Sequence, residues 1–250
     1  MCSKRTGALH HIRTVSVHPD LEGADADADF IAASGRVEAA FTILRSIAAA
    51  QEKALVFIEH RQMQYRFIEL VKAAFGLKRV DLINGDTPIQ KRQAIVDRFQ
   101  AGTGVAGFDL LVLGPKAAGT GLTLTAANHV IHLSRWWNPA VEEQCNDRVH
   151  RIGQTRPVTV HVPMAIHSGY REHSFDCLLH SLMQRKRRLA RSALWPMGDT
   201  QADVGELQRM LGAEMSAHAQ DPLRAALAAT FLREGLQLPE PEADGSIGFS

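Results

Sequence analysis

Short apolar runs alternate along the chain with longer segments of helical periodicity. The runs are rich in aliphatic residues and cover residues 53–58, 79–83, 108–113, 129–133 and 158–162. Helical patterns or turn-rich loops separate them, and this alternation favours parallel strands that are covered on both faces by helices. We therefore predict an α/β fold with three layers, in which helices pack on both faces of a mainly parallel sheet.

The helical patterns occupy the intervals between these runs. Helices are predicted over residues 34–51, 63–75, 90–100 and 139–150. Gly76 should end the second of them, because glycine readily adopts the left-handed conformation of a helix C-terminus. Thr87 is expected to cap the third, with Pro88 at its first position.

Four parts of the chain differ in pattern. An irregular lead-in and connector is predicted for residues 1–33, the α/β domain for 34–168, a helical extension for 169–236 and a disordered tail for 237–250. The extension begins with a helix over residues 174–194, and the tail is rich in proline, glutamate and glycine.

Composition limits the possible partners. The formal net charge is +1, so contact with nucleic acid would depend on a local cationic patch. Three separated cysteines form no disulfide framework, and twelve histidines show no metal-site spacing, so no metal ligand is predicted. No apolar stretch reaches the length of about 18 residues that suggests a membrane span. We expect a cytoplasmic, nucleoid-associated protein without a membrane partner.

The clearest chemical signature lies in residues 144–154, Gln-Cys-Asn-Asp-Arg-Val-His-Arg-Ile-Gly-Gln. Arg148 and Arg151 stand three residues apart at the end of a predicted helix, so they project from one face. Two guanidiniums on one face can bind phosphoryl oxygens as a fork. A bare Arg-x-x-Arg pair is also compatible with a solvated helix end, in which Asp147 pairs with a neighbour.

Four segments, in this order and spacing, resemble the Swi/Snf family of DNA translocase ATPases. Residues 54–60 resemble motif IV, residues 113–124 motif V, residues 133–139 the Trp-Asn-Pro segment and residues 144–154 motif VI. The loop that begins Asn-Gly-Asp-Thr at residue 84 resembles the family's connection between motifs IV and V. The resemblance spans residues 34–165 and is to the C-terminal RecA-like lobe, which implies a RecA-like α/β/α fold.

The resemblance implies roles in ATP hydrolysis. Arg148 and Arg151 would be arginine fingers that reach the γ-phosphate of an ATP molecule held by an N-terminal lobe. Gln144 would support them. Gly121 would lie on the nucleotide side of the cleft between the lobes, where the absence of a side chain permits close approach.

The resemblance also implies a DNA-binding surface. Lys116 and Trp137 match family positions that contact DNA, the ammonium at a backbone phosphate and the indole against sugar and base edges. Gly85 and Thr87 could present a backbone N–H and a hydroxyl to phosphate. Trp136 is expected to be a packing residue.

One residue departs from the family pattern. Gly114 stands where the family carries serine or threonine, whose hydroxyl can bond the tracking strand. The departure predicts the loss of one DNA contact, with the fold unchanged.

Two groups that ATP hydrolysis requires are absent from the sequence. No G-x-x-x-x-G-K-[ST] loop occurs, and no Asp-Glu pair follows an apolar strand. ATP and Mg²⁺ are therefore expected only when an N-terminal RecA-like lobe completes the site, and the isolated chain is predicted to be inactive.

Two functions remain open at this point. In the first, the chain is the C-terminal lobe of a DNA-dependent ATPase and translocase, and its partners are double-stranded DNA and an N-terminal lobe. In the second, it is a non-catalytic remnant or DNA-binding adaptor that uses the surface around Lys116 and Trp137 alone.

Overall fold

The computed structural model describes residues 11–21, 26–101, 107–116 and 121–191, together with two short strands near the C-terminus. The described residues belong to two compact units, one of which spans Thr14–Ala165. The other comprises the residues on either side of that span.

A five-stranded parallel sheet forms the centre of the Thr14–Ala165 unit. Its strands are β1 (Lys53–Phe57), β2 (Asp81–Ile83), β3 (Asp109–Leu113), β4 (His129–His132) and β5 (Thr159–His161). They follow the order β2-β3-β1-β4-β5, and every pairing is parallel. All five residues of the central strand β1 are buried, as expected of a parallel strand covered on both faces. Each predicted run therefore forms a strand, shortened by one or two residues.

The described residues of this unit include five helices after residue 26, which lie before, between or after the strands. They are α1 (Asp27–Ala32), α2 (Gly35–Ala49), α3 (Arg61–Phe75), α4 (Ile89–Ala101) and α5 (Pro139–Asn146). The α3 helix ends at Gly76, whose φ of 63° is left-handed as predicted. The α5 helix begins at the Asn138 cap, whose Oδ1 accepts a hydrogen bond from the Ala140 N–H.

Alternate residues of each strand face opposite helical layers. The α2 and α3 helices cover one face, where the buried side chain of Phe67 shares a hydrophobic cluster with Val56. The α4 and α5 helices cover the other, where Phe99 and Cys145 share a cluster with Phe57. The predicted three-layer α/β fold is therefore confirmed.

The segment predicted as an irregular connector, residues 1–33, contains helical structure where it is described. Residues 11–17 are helical, and Asp27–Ala32 forms α1. Phe30 is fully buried, its backbone carbonyl contacts His18 Nε2 at 2.9 Å, and the two rings stack at 3.7 Å between centroids. The expectation of an irregular segment is wrong for these residues, because a few anchoring contacts order a stretch with little apolar periodicity. Residues 1–10 lie outside the described part.

Among the described residues outside Thr14–Ala165, the longest element is the helix α6 (Phe175–Arg191). A short 3-10 turn, Arg171–His173, precedes it, and the Ser174 hydroxyl accepts a hydrogen bond from the His167 N–H at 2.9 Å. The predicted helix over residues 174–194 is therefore present in its described part, Phe175–Arg191. The rest of the predicted extension, residues 192–236, lies outside the described residues.

The tail, residues 237–250, is described only at β6 (Glu240–Pro241) and β7 (Ile247–Gly248), which pair antiparallel. No helix in the described ranges is long and apolar enough to cross a membrane. Across the same ranges, no group of three or more metal-binding side chains is arranged to hold an ion.

Candidate functional site

The residues predicted to bind DNA follow three strands of the sheet. Gly85 and Thr87 come after β2, Lys116 after β3 and Trp137 after β4. Because the carboxyl ends of parallel strands lie at one edge of a sheet, these residues share that edge, which we call the carboxyl edge. Gly85 and Lys116 are exposed, whereas Thr87 and Trp137 are partly buried.

The loop after β2 is fixed by buried amide side chains. Asn84 Nδ2 donates to Gln64 Oε1 at 2.9 Å, and Gln64 Nε2 donates to the carbonyl of Ile58 at 2.7 Å. Asn84 Oδ1 also accepts from the Asp86 N–H at 2.9 Å. These bonds hold the loop against the beginning of α3 and the end of β1.

The hydroxyl of Thr87 is used within its own loop. It accepts a hydrogen bond from the Asn84 N–H at 3.0 Å and lies 3.3 Å from the carbonyl oxygen of Leu82. The guanidinium of Arg92 donates to the carbonyls of Thr87 and Asn84. Thr87 therefore shapes the loop, and Gly85 and Asp86 are its exposed residues.

Gly114 lies beside the same amide pair. Its N–H donates to the carbonyl of Ile83 at 2.9 Å, which extends the pairing of β2 with β3 by one bond. A Cβ at this position would come within 3.4 Å of Asn84 Cβ and of Gln64 Nε2. The Gln64–Asn84 pair thus packs where a serine or threonine side chain would begin.

Lys116 is accompanied by an aromatic ring that the sequence did not assign to this surface. Its Nζ lies 5.8 Å from the centroid of the Trp136 ring, within the range of a cation–π contact. The Trp136 backbone N–H donates to Glu142 Oε1 at 3.3 Å. Glu142 also forms a buried ion pair with Arg135, whose Nε lies 2.7 Å from Glu142 Oε1. Trp136, predicted to be a packing residue, therefore also contacts a candidate DNA-binding side chain.

The two arginines predicted to act on phosphate lie close together but are held differently. The α5 helix ends at Asn146, four residues before the predicted end, and Arg148 follows in a turn. Arg148 is buried, and its Nε donates to the backbone carbonyl of Gln144 at 3.1 Å. Gln144 thus supports Arg148 through its main chain.

Arg151 is exposed and contacts the segment predicted as motif V. Its Nη1 donates to the carbonyl of Gly121 at 3.0 Å and to Thr123 Oγ1 at 2.9 Å. The φ of Gly121 is +73°, a conformation that favours glycine, and the space beside its Cα is open. The structure therefore brings three predicted residues, Gly121, Arg148 and Arg151, into one neighbourhood.

The electrostatic environment of the two arginines suits an anion. Burial lowers the pKa of Arg148, and the positive charge of Arg151 lowers it further. Among the described residues, neither guanidinium forms an ion pair with a carboxylate. Cys145 does not offer a nucleophile here, because burial raises the pKa of its thiol to about 12.

Two side chains that the sequence did not single out fix the backbone after the arginines. Gln154 Nε2 donates to the carbonyls of Ala127 at 2.7 Å and Thr125 at 3.1 Å. Arg156 Nη2 donates to the carbonyl of Ala126 at 2.6 Å. These carbonyls lie just before β4. The loop that carries Arg148 and Arg151 is therefore attached near the amino end of that strand. In the sequence, the one indication of these contacts was Gln154, the last residue of the segment that resembles motif VI.

A titratable cluster links the amino ends of β1 and β4 to a side chain of β5. His129 Nε2 lies 2.6 Å from Glu52 Oε2, and His129 Nδ1 lies 3.0 Å from His161 Nε2. Because an ionised carboxylate can only accept, His129 Nε2 donates to Glu52, while its Nδ1 is hydrogen-bonded to His161 Nε2. The pKa of Glu52 is lowered chiefly by the hydrogen bond from His129.

This cluster predicts acid sensitivity of the fold. Burial lowers the pKa of His161, and the charge of His129 adds to the effect. As pH falls, His161 is therefore protonated at a higher pH in the unfolded chain than in the folded chain. The free energy of unfolding should for this reason fall as pH drops below about 6.5. The lowered pKa of Glu52 should extend the loss below about pH 4.3. Urea unfolding at a series of pH values measures both effects.

His161→Gln tests the assignment. The amide can still donate to His129, but it does not titrate, so stability should depend less on pH between about 6.5 and 5. An unaltered pH profile in the His161 variant would contradict the prediction. Burial also lowers the pKa of His60, so His60→Gln gives the contribution of that separate site.

Comparison with known proteins relates these features to a family. Residues 36–153 match the helicase conserved C-terminal domain. The SWI2/SNF2 ATPase core of Sulfolobus solfataricus, solved in complex with double-stranded DNA, matches with a TM-score of 0.59 and 26% identity over 82% of this chain and 42% of that one. This chain carries a helicase C-terminal domain of the SWI2/SNF2 type.

Curated relatives support the assignment of the SWI2/SNF2 C-terminal domain. YwqA of Bacillus subtilis, whose name describes an ATP-dependent helicase/translocase, is 36% identical over 213 residues, which are 85% of this chain and 22% of YwqA. The Zorya protein ZorD of Escherichia coli is 34% identical over 75% of this chain and 17% of its own length. The chain thus spans about a fifth of these relatives.

The SWI2/SNF2 C-terminal domain of Sulfolobus solfataricus shares the fold, with a TM-score of 0.54 at 22% identity over 80% of this chain. The RecA-like α/β architecture and the resemblance of the chain to the SWI2/SNF2 C-terminal domain are therefore confirmed. The roles of individual residues remain predictions.

Proposed function

We propose that this chain is the C-terminal lobe of a DNA-dependent ATPase that translocates on double-stranded DNA. One observation carries the proposal: Arg148 and Arg151 lie together without a carboxylate partner among the described residues, on a loop attached near the amino end of β4. The predicted DNA-binding residues occupy the carboxyl edge instead. The two ends of the sheet would therefore differ in chemistry. Cationic groups at the amino end would bind a phosphate, and residues at the carboxyl edge would contact DNA.

The arginine neighbourhood fits a phosphoryl group. Within the described part of the chain, the terminal nitrogens of Arg148 form no hydrogen bond, so they can donate to phosphoryl oxygens. Bound by an N-terminal lobe with Mg²⁺, ATP would supply the γ-phosphoryl group that is transferred to water. Arg148 and Arg151 would stabilise the charge that spreads over the phosphoryl oxygens in the transition state.

Arg151 can take part without giving up its present partners. In the structure its Nη1 donates to Gly121 and Thr123, both in the segment that follows Lys116. A guanidinium has five N–H donors, so Arg151 can retain both of these bonds while its other N–H groups donate to phosphate. Gln144 and Gln154 hold the backbone on either side of the pair.

The proposal that the carboxyl edge binds DNA rests on the charge and accessibility of its residues. Lys116 is exposed and can pair with a backbone phosphate, and Trp137 lies in the loop after β4, on the other side of β1. Gly85 presents an exposed main chain next to them. Such contacts to phosphate position a protein on DNA without reading its sequence, as translocation along DNA requires.

A chimera tests the proposal. The chain would replace the matching segment of YwqA, and ATP hydrolysis would be measured with and without duplex DNA. We expect the chimera to hydrolyse ATP faster with DNA and the isolated chain to show no turnover. Steady hydrolysis by the isolated chain, or a folded chimera that DNA does not stimulate, would show the proposal to be wrong.

A second function, that of a non-catalytic DNA-binding adaptor, has one observation in its favour. Arg151 is bonded to the chain's own motif V segment, a contact that could be purely structural. The adaptor would bind DNA equally well with and without ATP in the chimera. A DNA affinity that changes on addition of ATP would exclude it.

A further inference from the structure

We propose that Trp136 is a positioning residue that orients the Lys116 ammonium toward the phosphate backbone of DNA. The inference rests on the proposed function, because it assumes that Lys116 contacts DNA. It differs from the role predicted for Trp137, which would touch DNA itself.

The geometry joins two loops across the central strand. Lys116 follows β3 and Trp136 follows β4, and these strands flank β1 in the sheet. Their loops therefore meet beyond the carboxyl end of β1, where Lys116 Nζ lies 5.8 Å from the centre of the Trp136 ring. A lysine at this distance is attracted by the negative face of the indole.

The backbone of Trp136 is held in place by a buried ion pair. The backbone of Trp136 is bonded to the carboxylate of Glu142, which the guanidinium of Arg135 pairs through two contacts of 2.7 and 3.4 Å. The side chains of this ion pair are 1% and 3% exposed, so they are shielded from competition by water. Lys116, in contrast, is exposed on a loop.

The contact lowers the entropic cost of binding phosphate. A lysine side chain has many rotamers, and fixing it on one phosphate sacrifices that freedom. An ammonium that already rests on an indole has lost part of the freedom before DNA arrives. Its three N–H donors still allow hydrogen bonds to a phosphate on the side away from the ring.

The test is binding of the 250-residue chain to a fluorescent DNA duplex at several salt concentrations. Trp136→Leu should weaken binding about two- to fivefold, as expected for loss of a cation–π contact at an exposed site. It should leave the salt dependence unchanged, because the ammonium remains. Trp136→Phe should retain most of the affinity, because phenylalanine also offers a ring face.

Lys116→Ala separates positioning from other roles of Trp136. This variant should reduce the slope of log affinity against log salt by about 0.9, the value for one lost phosphate contact. In the Lys116→Ala background, Trp136→Leu should cause no further loss. Thermal unfolding of each variant establishes that the fold is retained.

Three outcomes would overturn the inference. If the two losses add in the double variant, Trp136 acts independently of Lys116. If Lys116→Ala weakens binding and Trp136→Leu does not, positioning fails while the DNA-binding edge stands. If Lys116→Ala changes neither affinity nor slope, the DNA contact of Lys116 fails, and with it that part of the proposed function.

Discussion

Alanine at Arg148 or Arg151 should lower kcat for DNA-stimulated ATP hydrolysis by the chimera about a thousandfold or more. The terminal nitrogens of Arg148 have no hydrogen-bond partner in the described part of the chain, and Arg151 is exposed beside it. Their contribution would come mainly in the transition state, so KM for ATP should change far less than kcat. Steady-state kinetics at saturating DNA give both constants.

Three further variants make this result specific. Arg79→Ala removes a surface guanidinium that is 62% exposed and paired with Asp81, and kcat should not change. Arg151→Lys should recover little activity, because an ammonium lacks the planar fork of donors. The double variant of Arg148 and Arg151 should lose less than the product of the two single losses, as expected of groups that act together. A tenfold or smaller effect of both single variants would contradict the arginine-finger role.

The strands of the sheet could be predicted from the sequence because the sheet is buried between two layers of helices. A parallel strand covered on both faces needs apolar side chains in both directions, so residues 54–58 and 110–113 form continuous apolar runs. Helix ends were predictable where a single residue dominates the local conformation. Gly76 ended α3 and Pro139 began α5 through geometry that these residues favour in isolation.

The helices before residue 33 were not predictable from periodicity. The alternating Ala-Asp run has no repeating apolar face, and α1 buries a single residue, Phe30. That ring stacks on His18, and the Ser34 hydroxyl donates to the carbonyl of Val17. Such contacts depend on the folded core, so local sequence carries little trace of them.

The site was predictable as a set of positions but not as a set of contacts. Residues after β2, β3 and β4 must share an edge, which places Gly85, Lys116 and Trp137 together. The hydrogen bonds of Thr87 within its loop, and the bonds of Gln154 to carbonyls nearly 30 residues away, arise only in three dimensions. The link between Glu52 and His129 spans 77 residues and matches no motif.

Removing one partner of the buried Arg135–Glu142 pair should cost about 3–5 kcal/mol of unfolding free energy. The two side chains are 1% and 3% exposed, and their nitrogen and oxygen atoms lie 2.7 Å apart. Glu142→Gln leaves the charge of Arg135 buried without its carboxylate, and Arg135→Met does the same to Glu142. Urea unfolding should show a lower midpoint with an unchanged slope for both variants.

A matched exposed pair and a double variant complete this experiment. Arg61→Met removes an ion pair with Asp86 of similar length, 2.9 Å, whose side chains are 64% and 52% exposed, and it should cost less than about 1 kcal/mol. Replacing Arg135 by methionine and Glu142 by leucine together should recover much of the stability that either single change loses, because no charge is then left buried. If Glu142→Gln lowers the free energy of unfolding no more than Arg61→Met does, the buried pair does not hold the Trp136 loop in place. The fixed indole on which the orientation of Lys116 depends would then need another support.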